Sequence, residues 1–456
     1  MDARAVFALL VSGRLGLALS FPWLPDALKY DHMLSSPLTA RLRLQEGIFL
    51  YQHDIDPYSG SAFRHSPLYL SLFTTLLPII SSPTACILLW TAADALAAYS
   101  LVRIWRARAG GASERDGLVA AAYLLNPYLF LPSLGLSTST FENLSILLAL
   151  MFACEGSSSP ALLAFALATH LTPPLSSLLL LLPLLGVLLS GPASSLEDPC
   201  TFTSPALRMT RLGAEYLTYV LVLGAAAAIV VGDDTYTLKW GWVGQTWGTS
   251  LTLPDLTPNI GLWWYFFTEM FDHFRPFFLG VFSIHLVIYI MPISIKFQHD
   301  PLYASFLLIG ILATFKAYLT LADPGLFLSM GILFPEVWTY LRHPLPTFLL
   351  HLHAALLLPL LHALWTSHGT GNANFFYAAT LVMGVANGAG VVDWCWAGMR
   401  IAIGGRGGVA GGRKIRVKGG DGEGVLEEEK DEEVKTTHSE WELEEGWEER
   451  WEVVQE

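Results

Sequence analysis

Apolar runs of membrane-spanning length recur along about the first 400 residues of the chain. A spanning helix needs about 20 mostly apolar residues, and its backbone groups have to be hydrogen-bonded within the segment, so each run predicts a helix. The pattern predicts twelve spans, at residues 5–21, 84–104, 117–133, 141–155, 160–172, 174–190, 214–232, 274–294, 302–319, 324–340, 345–366 and 375–398. The short spans 141–155 and 160–172 are expected to be buried among the others or to be broken.

Two apolar runs have more than one interpretation. Residues 5–21 follow Arg4 as a secretory signal would, but Gly13-Arg14 interrupts the run and no small-residue cleavage site follows it, which favours an uncleaved anchor. The stretch 66–80 is apolar but bracketed by prolines. It is predicted to be an interfacial or re-entrant helix.

Lysine and arginine residues orient the predicted spans. With a cytosolic N-terminus, every basic cluster except the one in the first long loop falls on the cytosolic side, as the positive-inside rule requires. Both termini are therefore predicted to be cytosolic. The loops 22–83, 233–273 and 367–374 are predicted to lie on the opposite side.

Composition supports an all-α polytopic membrane protein. The chain of 456 residues is 53% hydrophobic and only 14% charged, and its mean hydropathy is +0.47, which excludes a soluble enzyme and a nucleic-acid-binding protein. The net charge of -13 comes from the tail after residue 420. Residues 1–403 are predicted to form the membrane body, and 404–456 a Gly-rich basic linker with a disordered acidic tail. Three tryptophans in that tail leave open a short docking helix for a basic partner.

The first large loop, 22–83, contains a candidate amphipathic helix with its start at Ser35 or Ser36. It is expected to lie on the membrane surface, with leucines on one face and charges on the other, and its residues are Leu38, Arg41, Leu42, Arg43, Leu44, Glu46 and Ile48. A D-x-D follows at Asp54 and Asp56. Glycosyltransferases use such carboxylates, but an aspartate before proline is also ordinary turn chemistry.

The densest aromatic segment of the chain is 263–278. Within it Glu269, Asp272 and His273 are spaced to share one helical face. Three interpretations stay open: an interfacial aromatic belt, a site for a lipid headgroup or acyl chain, and a metal site, for which no second group of ligands is evident.

Ionisable residues within predicted spans are functional candidates by default, because charge is costly in lipid. They are Asp94, His170, His285, Lys316, Glu336, His351, His353, His362 and Asp393. The four cysteines lie far apart, and none forms a defensible Cys-His arrangement with a histidine. The sequence therefore predicts no catalytic residue, no metal and no cofactor.

Several long segments resemble one known family. Its blocks are SPLTARLRLQEGIFLYQHDIDPYSG in the first loop, YLLNPY at 123–128, LPDLTPNIGLWWYFFTEMFDHFRPFF at 253–278, FKAYLTLADPGLF at 315–327 and GNANFFYAATL at 371–381. In order and spacing, these blocks resemble the PIG-U family, the U subunit of GPI transamidase. The resemblance covers residues 5–398. It implies an endoplasmic reticulum membrane protein with a GT-C-like helical bundle and a large first lumenal loop.

The resemblance also implies a function. It implies a non-catalytic subunit that recognises or presents the GPI lipid for attachment to proprotein C-termini, with the catalytic cysteine in a protease-like partner chain. The candidate lipid-binding residues are Asn259, Phe266, Phe267, Phe271, Asp272, His273, Phe274, Asn372 and Asn374. The alternatives are a GT-C mannosyltransferase that uses dolichol-phosphate mannose, for which Asp54 and Asp56 are candidates, and a transporter, for which no internal repeat is evident.

In the aromatic block, Pro258 and Asn259 are expected to lie near a helix start with free backbone N–H groups for a phosphate. The aromatic side chains would line an acyl chain, and Asp272 and His273 would stay near the headgroup. Asn372 and Asn374 lie in a tight loop between glycines, which is either part of the same surface or a plain turn between helices.

Overall fold

The computed structural model describes residues 3–60, 62–197, 206–232 and 238–411. Within these ranges the regular structure is helical, and no strand occurs. The chain divides into two units, Met1–Gly408 and Val409–Glu456. The second unit, which includes the predicted acidic tail, lies almost wholly outside the described residues.

Six helices of the described chain are long and apolar enough to cross a membrane: Ala3–Ser20, Pro83–Ala109, Ala206–Val230, Arg275–Lys296, Pro344–Thr366 and Ala373–Ile403. The last of these continues as a helix to Gly411, into the segment expected to be a linker. A seventh candidate is the pair Asp116–Leu124 and Pro127–Leu134, which is bent by 52°. Pro127 explains the bend, because proline removes a backbone donor and disfavours helix in the residue before it.

Shorter apolar helices complete the membrane body: Pro67–Leu76, Ser139–Cys154, Ser158–Leu171, Pro174–Ser190, Pro301–Phe315 and Ala322–Leu333. The other helices of the described chain are Leu24–Leu28, Arg41–Gln52, Trp242–Thr246, Thr249–Thr252, Trp263–Thr268 and the 3₁₀ turns of Pro335–Tyr340. Each of the twelve predicted spans overlaps a long helix, the bent pair or a shorter apolar helix, but the span 324–340 is divided at Phe334. The chain is thus an all-helical, multi-pass membrane protein, while twelve crossings and a GT-C-like arrangement stay predictions.

The shorter helix Pro301–Phe315 occupies the interior of the bundle. Residues 301–314 of Pro301–Phe315 are all buried, as expected for a helix that is apolar on every side. At Gly310 an added Cβ would lie 2.6 Å from Val391 and 2.7 Å from Phe327. The missing side chain therefore lets the last helix and Ala322–Met330 approach this central helix closely.

Two buried arginines of the bundle form ion pairs. Arg14 of the first helix contacts Asp94 at 2.9 Å, which explains why an arginine interrupts the first apolar run. Arg108 binds Asp300 and Glu336, both at 2.6 Å. An ion buried in a helical bundle is stable only when it has a partner of this kind.

The first loop forms the helix Arg41–Gln52, but two expectations for it are wrong. Its N-terminus lies at Arg41 rather than near Ser35 or Ser36, because Ser36 closes a turn with Thr39 through an N–H to hydroxyl bond of 2.8 Å. Its leucine face packs into the protein, where Leu44 and Ile48 are 0% and 3% exposed. Arg41 is buried as well, so this helix does not lie on a membrane surface with its charges in water.

Candidate functional site

An apolar cleft of about 330 Å³ opens beside the N-terminal turns of the last long helix. We call it the aromatic cleft. Its walls are Leu262, Trp263, Phe266, Val281, Phe282, His285, Phe315, Tyr377 and Leu381. It therefore lies between Trp263–Thr268, the helix that starts at Arg275 and the helix that starts at Ala373.

Aromatic packing builds one wall of the cleft. The ring of Phe282 lies 5.0 Å from that of Phe266 and 5.1 Å from that of Trp263. Phe267 is 2% exposed and supports this wall from behind, 5.3 Å from Phe282. Offset and edge contacts of this kind stabilise aromatic clusters beyond the area that they bury.

A buried ion cluster holds the wall behind the cleft. The Trp263 indole N–H donates to the carbonyl of Phe315 at 2.9 Å. The next residue, Lys316, binds Glu142 at 3.2 Å and Asp323 at 2.9 Å. The segment 315–323 is thereby fixed to the helix Ser139–Cys154, and the tryptophan is fixed to that segment.

The structure brings the two predicted lipid-binding segments together. The Tyr265 hydroxyl donates to the side-chain oxygen of Asn374, and its ring lies 4.6 Å from that of Tyr377. The Tyr377 hydroxyl donates to the carbonyl of Leu262 at 3.1 Å. The segments 253–278 and 369–377 therefore form one surface, as their placement in loops on the same side predicts.

The predicted placement of Asn259 near a helix start is wrong. Asn259 is 1% exposed and lies before the helix, which begins at Trp263. Its side-chain oxygen accepts the Gly261 N–H at 2.7 Å, and its amide donates to the Thr257 carbonyl at 3.2 Å. Asn259 closes a turn, so it offers no free helix-terminal N–H groups to a phosphate.

Two large loops meet beside this turn. Arg43 of the first loop binds Asp255 at 2.7 Å. Burial acts to raise the pKa of Asp255, but hydrogen bonds from Thr257 and the charge of Arg43 outweigh burial, and the pKa lies below its usual value. Arg64 also reaches across, donating to the side chain of Gln245.

The expectation that Glu269, Asp272 and His273 share a helical face is also wrong. The helix ends at Thr268 and the next begins at Arg275, so these residues lie in a bend. Phe271 and Phe274 flank the bend and are 73% and 48% exposed. No group of residues that could hold a metal ion is found in the described ranges. The predicted block is thus divided into a packed part, 263–268, and an exposed part, 271–274.

The asparagines of the last loop have separate roles. Asn372 caps the final helix, because its side-chain oxygen accepts the Phe375 N–H at 3.1 Å. Asn374 instead contacts Tyr265, as described above. Asn372 therefore fits the turn interpretation, and Asn374 belongs to the surface beside the cleft.

The D-x-D in the first loop has the geometry of a turn. The Asp56 carboxylate accepts the Tyr58 N–H at 2.9 Å, and the Asp56 carbonyl accepts the Ser59 hydroxyl at 2.7 Å. Asp54 adopts a left-handed backbone with φ of 57°. This is ordinary Asx-turn chemistry.

Comparison with known proteins identifies the family. The sequence profile described as "GPI transamidase subunit PIG-U" matches residues 8–383. The chain belongs to the PIG-U family of GPI transamidase subunits.

Relatives of this PIG-U family member match over most of their length. The chain is 32% identical to "GPI transamidase component GAB1" of Saccharomyces cerevisiae, over 88% of this chain and 96% of the relative. It is 30% identical to "GPI-anchor transamidase component PIGU" of Homo sapiens, over 88% of this chain and 94% of the relative. The resemblance found in the sequence is confirmed, and this PIG-U chain is a component of a multi-subunit complex of GPI-anchor biosynthesis.

One wall of the cleft is formed by residues that the sequence does not single out. Val281, Phe282 and His285 lie on one face of a helix that reads from sequence only as a span. Together with Phe278 they have the spacing i, i+3, i+4 and i+7. This spacing predicts one shared helical face and is the sequence signal for this wall of the cleft. The positions of Phe315 and Tyr377 required knowledge of which helices are neighbours.

Proposed function

We propose that this protein is the membrane subunit through which GPI transamidase holds the GPI lipid, with the acyl chains in the aromatic cleft. The observation that carries this proposal is the meeting of the 253–278 and 369–381 segments around one apolar cleft. Lipid sites combine aromatic walls with a few polar groups at one end. The complex is expected in the endoplasmic reticulum membrane, with both termini of this chain in the cytosol.

Access to the cleft is consistent with a lipid ligand. Val281 and Leu381 line the cleft from two different helices and are 43% and 44% exposed. Both belong to helices of membrane-spanning length. An acyl chain could therefore enter sideways from the bilayer without leaving an apolar environment.

The polar end of the proposed site lies toward the loops. Tyr265 and Asn374 join the two segments there, and the exposed bend carries Asp272 and His273. A GPI headgroup presents phosphates, hydroxyls and an amine, so carboxylate, imidazole and amide groups are suitable partners. Phe271 and Phe274 are exposed enough to cover the lipid chains near that headgroup.

We further propose that this chain performs no chemical step and that the catalytic cysteine belongs to a protease-like partner. The described cysteines lie in helices of the membrane body. Cys86 is buried, and its thiol donates to the carbonyl of Ile79 at 3.4 Å. A nucleophilic cysteine needs an accessible thiolate beside a positive group.

The proposal is tested by filling the cleft in the assembled complex. Val281→Trp places an indole in the mouth of the cleft and should reduce labelling by a photoreactive GPI about tenfold, at unchanged complex level. Ile284→Trp is the matched control, because Ile284 is 67% exposed on the same helix but does not line the cleft. Equal labelling of the two variants contradicts the proposed site.

A second measurement addresses the mannosyltransferase alternative. Depletion of this chain should leave complete GPI precursors accumulating beside uncleaved proproteins. A precursor that lacks one mannose would instead assign a transferase step to this protein. If Asp54 or Asp56 takes part in a transferase step, Asp54→Asn or Asp56→Asn should give the same shortened precursor. If the two aspartates only form a turn, both variants should leave the precursor complete.

A further inference from the structure

A second cavity borders the same last helix, further along its length. We call it the His351 cavity. It has a volume of about 420 Å³, and its walls include Tyr128, Trp338, Phe348, His351, Gly390 and Trp394. Gly390 is thirteen residues beyond Tyr377, which places the two sites about 20 Å apart along the helix.

Most polar side chains around the His351 cavity are bound to the protein. Asn126 donates to the Gly325 carbonyl at 3.0 Å and to the Ser329 hydroxyl at 2.9 Å. Asp393 accepts the N–H groups of Arg342 and His343, both at 2.9 Å. The Trp338 indole donates to the Gly331 carbonyl at 3.2 Å. These groups hold the wall together and are not available to a ligand.

His351 is different. Its side chain is buried, with a relative exposure of 7% for the residue, and both ring nitrogens lack a hydrogen-bond partner. The Tyr128 hydroxyl binds only the backbone carbonyl of His351, at 3.1 Å. A buried polar group without a hydrogen-bond partner destabilises a protein. The imidazole therefore indicates a ligand group at this wall.

We propose that the His351 cavity binds a sterol-like membrane lipid, whose hydroxyl group hydrogen-bonds to the His351 imidazole. A hydroxyl can donate to the unprotonated ring nitrogen of a neutral imidazole or accept from the protonated one, so it suits whichever nitrogen faces the cavity. The cavity lies among helices of the membrane body, and its volume is within the range of small-molecule sites. His351 lies seven residues after Pro344, the first residue of its helix. The ligand hydroxyl is therefore expected about 10 Å along the helix axis from that helix end.

The wall favours a rigid ring system over a flexible chain. Four aromatic side chains line the cavity, those of Tyr128, Trp338, Phe348 and Trp394. A fused-ring lipid loses little conformational freedom when it binds such a wall. An ordinary acyl chain has no hydroxyl group with which to satisfy the imidazole.

The experiment uses the full transamidase complex, purified in a sterol-free detergent and labelled with a photoreactive cholesterol analogue. His351→Leu should reduce labelling of the cavity about tenfold, the factor that corresponds to one hydrogen bond of about 1.4 kcal/mol. His353→Leu is the control, because His353 is exposed on the same helix and its ring binds the Leu349 carbonyl at 2.7 Å. Its labelling should equal that of the unaltered complex.

A second variant and a second probe test the same proposal. Ala355→Phe narrows the cavity but leaves His351 in place, and it should also abolish labelling even if His351→Leu fails to assemble. The 3-deoxy analogue should label the unaltered complex as weakly as the hydroxyl-bearing probe labels His351→Leu. Stronger labelling by a photoreactive fatty acid, or crosslinking of Leu352 to another subunit, would overturn the sterol proposal.

Discussion

The aromatic cleft and the His351 cavity border the same helix, are both apolar and each contain one histidine, but the two histidines differ. In the aromatic cleft, His285 hydrogen-bonds to the Tyr289 hydroxyl at 2.8 Å. In the His351 cavity, both nitrogens of the histidine lack a partner. The Nε2 of the first histidine is therefore bound within the protein, whereas the imidazole of the second is left for a ligand group. Under the two proposals, similar apolar walls select different lipids through a single hydrogen bond.

The two sites also differ in what fixes their walls. The aromatic cleft depends on the buried cation Lys316, which binds two carboxylates. The His351 cavity depends on Asp393, which accepts two backbone N–H groups. Removing Lys316 leaves two buried carboxylates without a cation, whereas removing Asp393 leaves two backbone N–H groups without an acceptor. The loss of Lys316 should therefore lower the stability of the protein more than the loss of Asp393.

The largest effect is expected for Lys316→Met. It leaves Glu142 and Asp323 facing each other without a cation and should destabilise the protein by about 3–5 kcal/mol. The measurement is the level of this chain in the assembled complex, together with the midpoint of its thermal unfolding. The control is Lys296→Met, which removes an exposed lysine.

A compensating change sharpens this test. Glu142→Gln in the Lys316→Met background removes one of the two uncompensated carboxylates and should restore part of the lost stability. If Lys316→Met accumulates normally, the ion cluster does not hold the wall of the aromatic cleft.

The sequence identifies the charged residues within the predicted spans, but it does not show which residues they pair with. Lys316 and Asp94 were recognised as intramembrane charges, yet their partners Glu142 and Arg14 lie 174 and 80 positions away in sequence. Hydrophobic periodicity finds helices because it is local. It cannot show which helices are neighbours, and ion pairs between helices depend on that.

The intermediate effect is expected for Asp393→Ala. The N–H groups of Arg342 and His343 lose their acceptor, and the wall near Trp338 loosens, at a cost of about 2 kcal/mol. Sterol labelling of the His351 cavity should fall, while GPI labelling of the aromatic cleft should not change. Asp393→Asn keeps one of the two acceptor oxygens but turns an amide NH2 donor toward the other backbone N–H, so it should recover only part of the labelling. A parallel loss at both sites would show that the last helix acts as one unit.

The candidate site was only partly predictable for a related reason. The aromatic block at 263–278 and the asparagine loop are rich in polar and aromatic residues, so both were recognisable from sequence. The break between Thr268 and Arg275 is not recognisable from the sequence, because Glu269, Asp272 and His273 have the i, i+3 and i+4 spacing of one helical face. The role of Asn259 was missed because its side chain closes a turn rather than facing a ligand.

The smallest effect distinguishes the two asparagines beside the aromatic cleft. Asn372→Ala removes a helix cap, which costs about 1 kcal/mol, and should slightly lower the amount of complex while GPI labelling per complex stays constant. Asn374→Ala removes the acceptor of the Tyr265 hydroxyl, which lies at the surface, and should change stability less. It should nevertheless lower GPI labelling per complex, because Tyr265 is then free to turn away from Tyr377. Tyr265→Phe, which removes the same hydrogen bond from the other side, should reproduce the effect of Asn374→Ala and add nothing to it in the double variant. If Asn374→Ala, Tyr265→Phe and their double variant all show the GPI labelling per complex of the unaltered protein, both asparagines act only in the turn. The proposed lipid site is then restricted to the cleft itself.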